Sequence, residues 1–262
     1  MLPFIEVFGH QISMYALCIA AGMAVGILVA LIRKEMYKGQ REDILFASFY
    51  GILGVIAGGK ILYLLTIAPA LIKNFREIFS DMNHIKALLA GGFVFYGGFL
   101  GALGGIFLYA KQYKLDAVAL IERIAPSVPL IHAFGRIGCF CAGCCYGRPF
   151  SAPVGILFLA SDIAPRDVHL FPVQLVEAGC CLIIFLIMYF KYSKRETRGE
   201  ALAFYMLGYG VIRFGLEFLR YDRERGFVLG LSVSQWISIA IIAAAGMIFF
   251  RVRKAGKVTV EE

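Results

Sequence analysis

Charge is scarce in this sequence. Asp, Glu, Lys and Arg make up only 17% of the 262 residues, against 60% apolar residues and a mean hydropathy of +0.77. That balance excludes a soluble globule, because the apolar stretches, at about 20 residues each, have the length of helices that cross hydrocarbon. Acidic residues are scarcer still, 18 against 26 Lys and Arg, which leaves a net charge of +8. The basic residues do not form a nucleic-acid patch. They lie in short loops between apolar runs, the ordinary topology signal of a membrane protein, and no nucleic-acid partner is expected. A cleavable leader is not visible either, since Met1–His10 has no basic segment, so the first helix itself would act as the insertion signal. No internal repeat and no low-complexity stretch occurs.

What is present is a set of seven apolar spans at roughly 12–32, 44–68, 87–110, 115–135, 171–190, 200–219 and 231–250. Loop cations are uneven. The first, third and fifth loops and the C-terminal tail hold 14 Lys and Arg, among them Arg33, Lys34, Lys38, Lys194, Arg195 and Arg198. The other loops hold nine, including Arg76, Arg223 and Arg225. The positive-inside bias then puts the N-terminus outside and the C-terminus in the cytoplasm. The expected fold class is an all-α polytopic integral membrane protein of about seven transmembrane helices, one transmembrane domain over 1–262. Between the second and third spans, residues 69–83 set Leu71, Ile72, Phe75, Ile78 and Phe79 against Lys73, Arg76 and Glu77. Helical spacing of this kind predicts an amphipathic segment along the outer surface. Pro126 and Pro129 predict a kink or break in the fourth span. The dense glycines of the third span predict close helix packing.

The stretch 132–149 organises the rest. It holds four of the seven cysteines, Arg136, Arg148 and four glycines, and it follows a long apolar run. Glycine turns beside charge and thiols, at the end of a span, are tolerated where protein or a watery cavity satisfies the backbone. We therefore read 132–149 as the floor of a site, within a signature loop over 132–169.

Ionisable groups inside spans need an explanation each. Arg213 and Glu217 are i,i+4 neighbours, for which a salt bridge lowers the cost of burial. Lys60, Tyr63, Tyr15, Tyr96, Gln174, Glu177, His132 and Arg136 all fall in the outer half of the bilayer under this topology. Each also has a plainer reading: a structural ion pair for Arg213–Glu217, interface anchoring or packing for the tyrosines, outward snorkelling for Lys60. Glu122–Arg123 reads as a structural pair. Arg136 and Arg213, with Lys60 or Arg148, could converge on an anion at headgroup depth, where the guanidinium fork grips phosphate in two places. The anion available there is a phospholipid headgroup.

Six patches, in order, resemble the prolipoprotein diacylglyceryl transferase family. They are Tyr15-Ala16-Leu17, Gly59-Lys60-Ile61-Leu62-Tyr63 and Gly91-Gly92-Phe93-Val94-Phe95-Tyr96-Gly97-Gly98, then Gly135-Arg136-Ile137-Gly138-Cys139-Phe140 with Gly143 and Tyr146-Gly147. Pro172-Val173-Gln174-Leu175-Val176-Glu177 and the run from Tyr209 to Arg220 complete the set. The resemblance spans nearly the whole chain. It implies transfer of a diacylglyceryl group from phosphatidylglycerol to the lipobox cysteine of a precursor protein, with release of glycerol phosphate. The implied place is a multi-pass position in the bacterial cytoplasmic membrane with the site facing the outer leaflet, and no cofactor is implied. The implied catalytic residues are Arg136, Arg213 and Glu217, with Tyr96 where the family carries histidine. The implied substrate-binding residues are Tyr15, Lys60, Tyr63, Gly135, Gly138, Cys139, Gly147, Gln174 and Glu177. Cys139 stands where the family has asparagine, and Cys144 where it usually has glutamate. A phenol is a weak base at neutral pH, so His132, next to the signature, is the candidate to replace the lost imidazole. An alternative is a paralogue that keeps the phospholipid cradle but runs thiol redox or other lipid-transfer chemistry. A lipid-binding or transport module is the non-enzymatic reading.

Cys139-x-Cys141-x-x-Cys144-Cys145 leaves several readings open: a disulfide on an oxidising side, a metal site despite the absence of paired C-x-x-C knuckles, a reactive thiol, or small apolar filler. Cys18, Cys180 and Cys181 read as packing residues.

Overall fold

The computed structural model describes residues 2–32, 41–75, 80–161, 163–192, 199–221 and 226–258. Of the residues singled out above, Arg33, Lys34, Lys38, Arg76, Glu77, Ile78, Phe79, Lys194, Arg195, Arg198, Arg223 and Arg225 lie outside them. The described chain is mostly helical. Five of its helices are long and apolar enough to cross a membrane, and a bent pair would make six. The coarse expectation of a helical polytopic membrane protein therefore holds. Contacts divide the chain into two compact units, Met1–Lys38 with Glu122–Glu262, and Gly39–Ile121.

In the larger unit a hairpin precedes the first helix. Phe4–Val7 (β1) pairs antiparallel with His10–Ser13 (β2) around Phe8 and Gly9, both at positive φ, the signature of a type I′ turn. Met14–Ile32 (α1) follows, so the first span begins two residues later than its hydropathy suggests. Ala117–Ile124 (α5 in chain order), within which the division at Ile121 and Glu122 falls, and Ser127–Ala142 (α6) are bent by 47° across Ala125–Pro126. The break falls at the predicted proline, which cannot donate to the helical ladder. Helix α6 does not dissolve at His132. It runs on through eleven residues of the expected signature loop and stops only at Gly143. Val173–Lys191 (α7), Glu200–Leu216 (α8) and Val233–Val258 (α9) complete the unit. A second two-residue hairpin, Phe227–Val228 (β3) with Leu231–Ser232 (β4), introduces α9.

Helices α1 and α6 meet through small residues. A Cβ at Gly22 would stand 2.7 Å from the Phe134 side chain, and one at Gly26 would stand 2.6 Å from Ile131. The α7–α8 contact buries Ile184, Met188, Tyr192, Ala201 and Tyr205 with Ala125. Glu122, at the end of α5, accepts from the backbone N–H groups of Ala201 and Leu202 at 3.1 Å each. A buried carboxylate thus satisfies the donor-rich start of α8, where negative charge is favoured.

The smaller unit is a glycine-packed pair. Arg41–Lys73 (α2) and Phe95–Tyr113 (α4) approach so closely that a Cβ at Gly101 would lie 2.0 Å from the Gly54 carbonyl oxygen. One at Gly97 would lie 2.3 Å from that of Gly58. Small residues at such a seam let backbones touch. Helix α2 continues through Pro69 to Lys73, so the first part of the expected amphipathic segment extends the second span. Met82–Ala90 (α3) is a separate short helix, and the third span thus consists of two pieces joined at Gly91–Val94. Large apolar side chains such as Leu65, Ile72, Phe190 and Phe250 stand exposed along the helices. That suits hydrocarbon rather than water.

Candidate active site

The site is built where α6, α7 and α8 pack. His132 and Arg136 sit one turn apart on α6, and Gln174 and Glu177 lie one turn apart on α7. Tyr205, Tyr209, Arg213 and Glu217 repeat every four residues along α8 and the single 3-10 turn that ends it, which places them on one face.

Glu177 is the hub. It has no exposed surface, and burying a bare carboxylate costs several kcal/mol unless charge and hydrogen bonds replace water. Its Oε1 meets Arg136 Nη2 at 3.0 Å and accepts from the Tyr209 hydroxyl at 3.0 Å. His132 Nε2 stands 3.9 Å from the same oxygen, while Nδ1 is 3.0 Å from the Tyr205 hydroxyl. The His132 ring also packs on Tyr209 at a 4.5 Å centroid distance, and Tyr205 stacks on Tyr209.

The second anchor is on α8. Arg213 Nη2 pairs with Glu217 Oε2 at 2.9 Å, the i,i+4 bridge expected from the sequence, and donates to Ser234 Oγ at 3.1 Å. Both guanidiniums, with that of Arg220, bear electrostatically on Glu177. Three guanidiniums against the carboxylates of Glu177 and Glu217 leave one net positive charge. On Arg136, Arg213, Gln174 and Glu177, four buried side-chain atoms make no hydrogen bond within the described protein: Arg136 Nε, Arg213 Nη1, Gln174 Oε1 and Glu177 Oε2. Unpartnered buried polar atoms are costly and rare, and polar ligands are a common reason for them.

Beyond α6 the chain turns at Gly143, whose φ of +70° is a left-handed cap suited to glycine. Its N–H and that of Cys144 return to Phe140 O and Cys139 O at 3.2 and 3.1 Å. The Ser161 hydroxyl locks this turn, lying 3.2 Å from Ala142 O and accepting from the N–H groups of Ile163 and Ala164. Gln174 Nε2 donates to Cys144 O at 2.8 Å. Gly147 is threaded between neighbours: a Cβ there would lie 2.7 Å from Phe171 O and 2.9 Å from Leu219 O. Arg148 donates to Phe218 O through its side chain and to Leu219 O through its N–H. Tyr15, the second residue of α1, lies against Gly138, where a Cβ would come within 3.1 Å of the Tyr15 Cα. A Cβ added at Gly135 would meet, among the described residues outside its own helix backbone, the Ile19 side chain alone, at 4.0 Å. The sulfurs of Cys139, Cys144 and Cys145 cluster within 4.8 Å of one another.

Lys60, Tyr63 and Tyr96 belong to the smaller unit. Lys60 Nζ donates to Leu88 O at 2.7 Å and to Gly91 O, and sits 5.0 Å above the Tyr63 ring. Tyr63 in turn fills the space beside Gly92, where a Cβ would fall 2.0 Å from the ring. Tyr96 is the second residue of α4 and packs edge-on against Phe95. These residues hold the junction between α3 and α4.

Sequence reasoning assigned no role to Tyr205, Tyr209 or Ser234. Tyr209 lies inside the quoted C-terminal patch, and the four-residue ladder 205–209–213–217 was the signal that could have found both tyrosines.

The description prolipoprotein diacylglyceryl transferase matches residues 3–251. The chain belongs to the prolipoprotein diacylglyceryl transferase family. Among diacylglyceryl transferase relatives, the phosphatidylglycerol–prolipoprotein diacylglyceryl transferase of Clostridium tetani is 38% identical over 247 residues, covering 93% of this chain and 94% of that protein. A Clostridium perfringens protein named phosphatidylglycerol–prolipoprotein diacylglyceryl transferase 2 is 35% identical, over 95% of this chain and 94% of its own. The Nitrosomonas europaea transferase is 34% identical, over 93% and 87%. The family match takes in every site residue described above.

Proposed function

We propose that this chain transfers a diacylglyceryl group from phosphatidylglycerol to the lipobox cysteine of a precursor protein and releases glycerol phosphate. Family membership and the relatives' names support the reaction. One observation ties it to particular residues: two guanidiniums, each held by a carboxylate on one side, keep an unpartnered buried N–H on the other, Arg136 Nε and Arg213 Nη1.

In this reaction the acceptor sulfur attacks the glycerol carbon that carries the phosphate ester. A sulfur–carbon bond forms, the carbon–oxygen bond breaks with its electron pair leaving on the phosphate oxygen, and the thiol proton passes to solvent or to the released glycerol phosphate. Charge therefore grows on phosphate as the transition state is reached, and fixed cations in a dry site stabilise it. Arg136 and Arg213 supply them, with Glu177 and Glu217 fixing their orientation. His132 Nδ1 is 3.0 Å from the Tyr205 hydroxyl and its Nε2 faces Glu177 Oε1 at 3.9 Å, so we place it as a positioning residue beside Glu177. Tyr15, Gly135, Gly138, Cys139, Gly147 and Gln174 border this cradle, and Lys60, Tyr63 and Tyr96 take their roles from the resemblance. We place seven spans in the bacterial cytoplasmic membrane, N-terminus outside, with the cradle open to the outer leaflet. The loop-charge bias supports that orientation.

The test is transfer by purified protein from labelled phosphatidylglycerol to a synthetic lipobox peptide. Wild type should label the peptide cysteine. Arg213→Ala should lower turnover by about 10²–10³, the usual effect of deleting one transition-state donor. A folded, phospholipid-binding protein that transfers nothing would end this reading.

A further inference from the structure

Three thiols stand together at the edge of this cradle. Cys139, Cys144 and Cys145 have their sulfurs within 4.8 Å of one another, and all seven cysteines are free. Cys139 lies on the last turn of α6. The left-handed residue Gly143 then folds the chain back so that the next two cysteines face it. Cys145 itself is held at a φ of 60°, a conformation that costs an L-residue about 1–2 kcal/mol. The backbone thus accepts strain where the third thiol joins the other two. Cys144 is fixed from behind by Gln174, whose Nε2 holds its carbonyl.

Thiolates select soft or borderline ions, and zinc–sulfur bonds of about 2.3 Å in a tetrahedron put sulfurs about 3.8 Å apart. The observed separations need only a small closure to reach that spacing. Three protein ligands with one position open is the arrangement of a reactive zinc site rather than a structural one. A zinc ion with three thiolates carries a charge of −1, and the guanidiniums of Arg136 and Arg220 bear on this cluster to offset it.

We propose that Cys139, Cys144 and Cys145 hold a zinc ion whose fourth position binds the acceptor cysteine as a thiolate. Three protons pass to solvent when the metal binds and a fourth when the acceptor binds. No electron is transferred, since zinc has no accessible redox step. When sulfur becomes a thioether it is neutral, ligates weakly and leaves. The fourth position rests on the transferase reading, but the three-thiolate site does not.

Cobalt(II) is the probe, titrated into purified, reduced, metal-stripped protein in detergent. About one cobalt per chain should bind, with thiolate-to-cobalt charge-transfer absorption in the near ultraviolet. Cys144→Ser/Cys145→Ser should keep less than about a tenth of that absorption, while Cys180→Ser should keep it all. Cys139→Ser serves as a second variant, and thermal melting checks that each protein is folded. A synthetic lipobox peptide, with no phospholipid present, should then intensify the charge-transfer band and shift the visible bands, and a peptide with serine for cysteine should not. Absence of the band in folded wild type, its survival in the double variant, or no response to the thiol peptide would each overturn the proposal. A peptide-responsive spectrum with no transfer in the lipid assay would instead overturn the transferase reading and leave the metal site standing.

Discussion

Glu177 concentrates the energetics of the site in one side chain. It is fully buried, and its Oε1 serves Arg136 and Tyr209 at once. Removing its charge would leave the Arg136 guanidinium buried without its nearest counter-ion. Breaking a buried pair from one side is far more damaging than lacking the pair altogether. Glu177→Gln should therefore cost about 3 kcal/mol of stability, visible as a lower melting temperature in detergent, together with loss of transfer. An unchanged melting temperature would mean that Arg136 finds its compensation elsewhere. At this scale the sequence revealed the residue types and the Arg213–Glu217 bridge, because i,i+4 geometry is local. It did not reveal that Glu177 and Arg136 meet, since they lie on different helices.

The helices show the same division. Glycine spacing in the third span announced a tight seam, and α4 packs against α2 with backbone nearly touching backbone. The sequence cannot say which glycines face that seam. Gly101→Ala would force a methyl to within 2.0 Å of the Gly54 carbonyl oxygen, and should destabilise by about 1–3 kcal/mol through overpacking. Gly104, with nothing within 4 Å of its added Cβ, should accept alanine with no loss, or with a gain of up to about 1 kcal/mol from helix propensity. Thermal melts of the two variants in one detergent would decide it, and equal melts would refute the seam. The hairpins were invisible beforehand. Their turns, Phe8-Gly9 and Leu229-Gly230, lack the Asn or Asp that usually marks a type I′ turn. Continuation of α6 past His132 was missed for a related reason: Gly135 and Gly138 read as turn residues, yet Gly138 is where α6 meets Tyr15 of α1.

For the whole molecule, hydropathy and loop charge carry the expectation. The described residues hold five or six helices able to span a membrane. The glycine-rich α4, at 19 residues long enough to span, does not reach the same hydropathy. The proposed orientation predicts that alkaline phosphatase fused ahead of the first hairpin is active in intact cells, and inactive when fused at the C-terminus. A fluorescent protein at the C-terminus should fold and fluoresce. The reverse pattern would invert the topology and turn the cradle to the cytoplasm.

By itself the sequence determined that the chain is a helical membrane protein, roughly where its helices lie, and which family its motifs resemble. Those properties follow from composition and from periodicities within a turn or two of helix. Tertiary structure alone decided that Glu177 is shared by Arg136 and Tyr209, that Glu122 caps α8, and that Cys139, Cys144 and Cys145 gather around one point. Each depends on packing between helices or on a left-handed turn, where segments with no local relation are brought within hydrogen-bond distance.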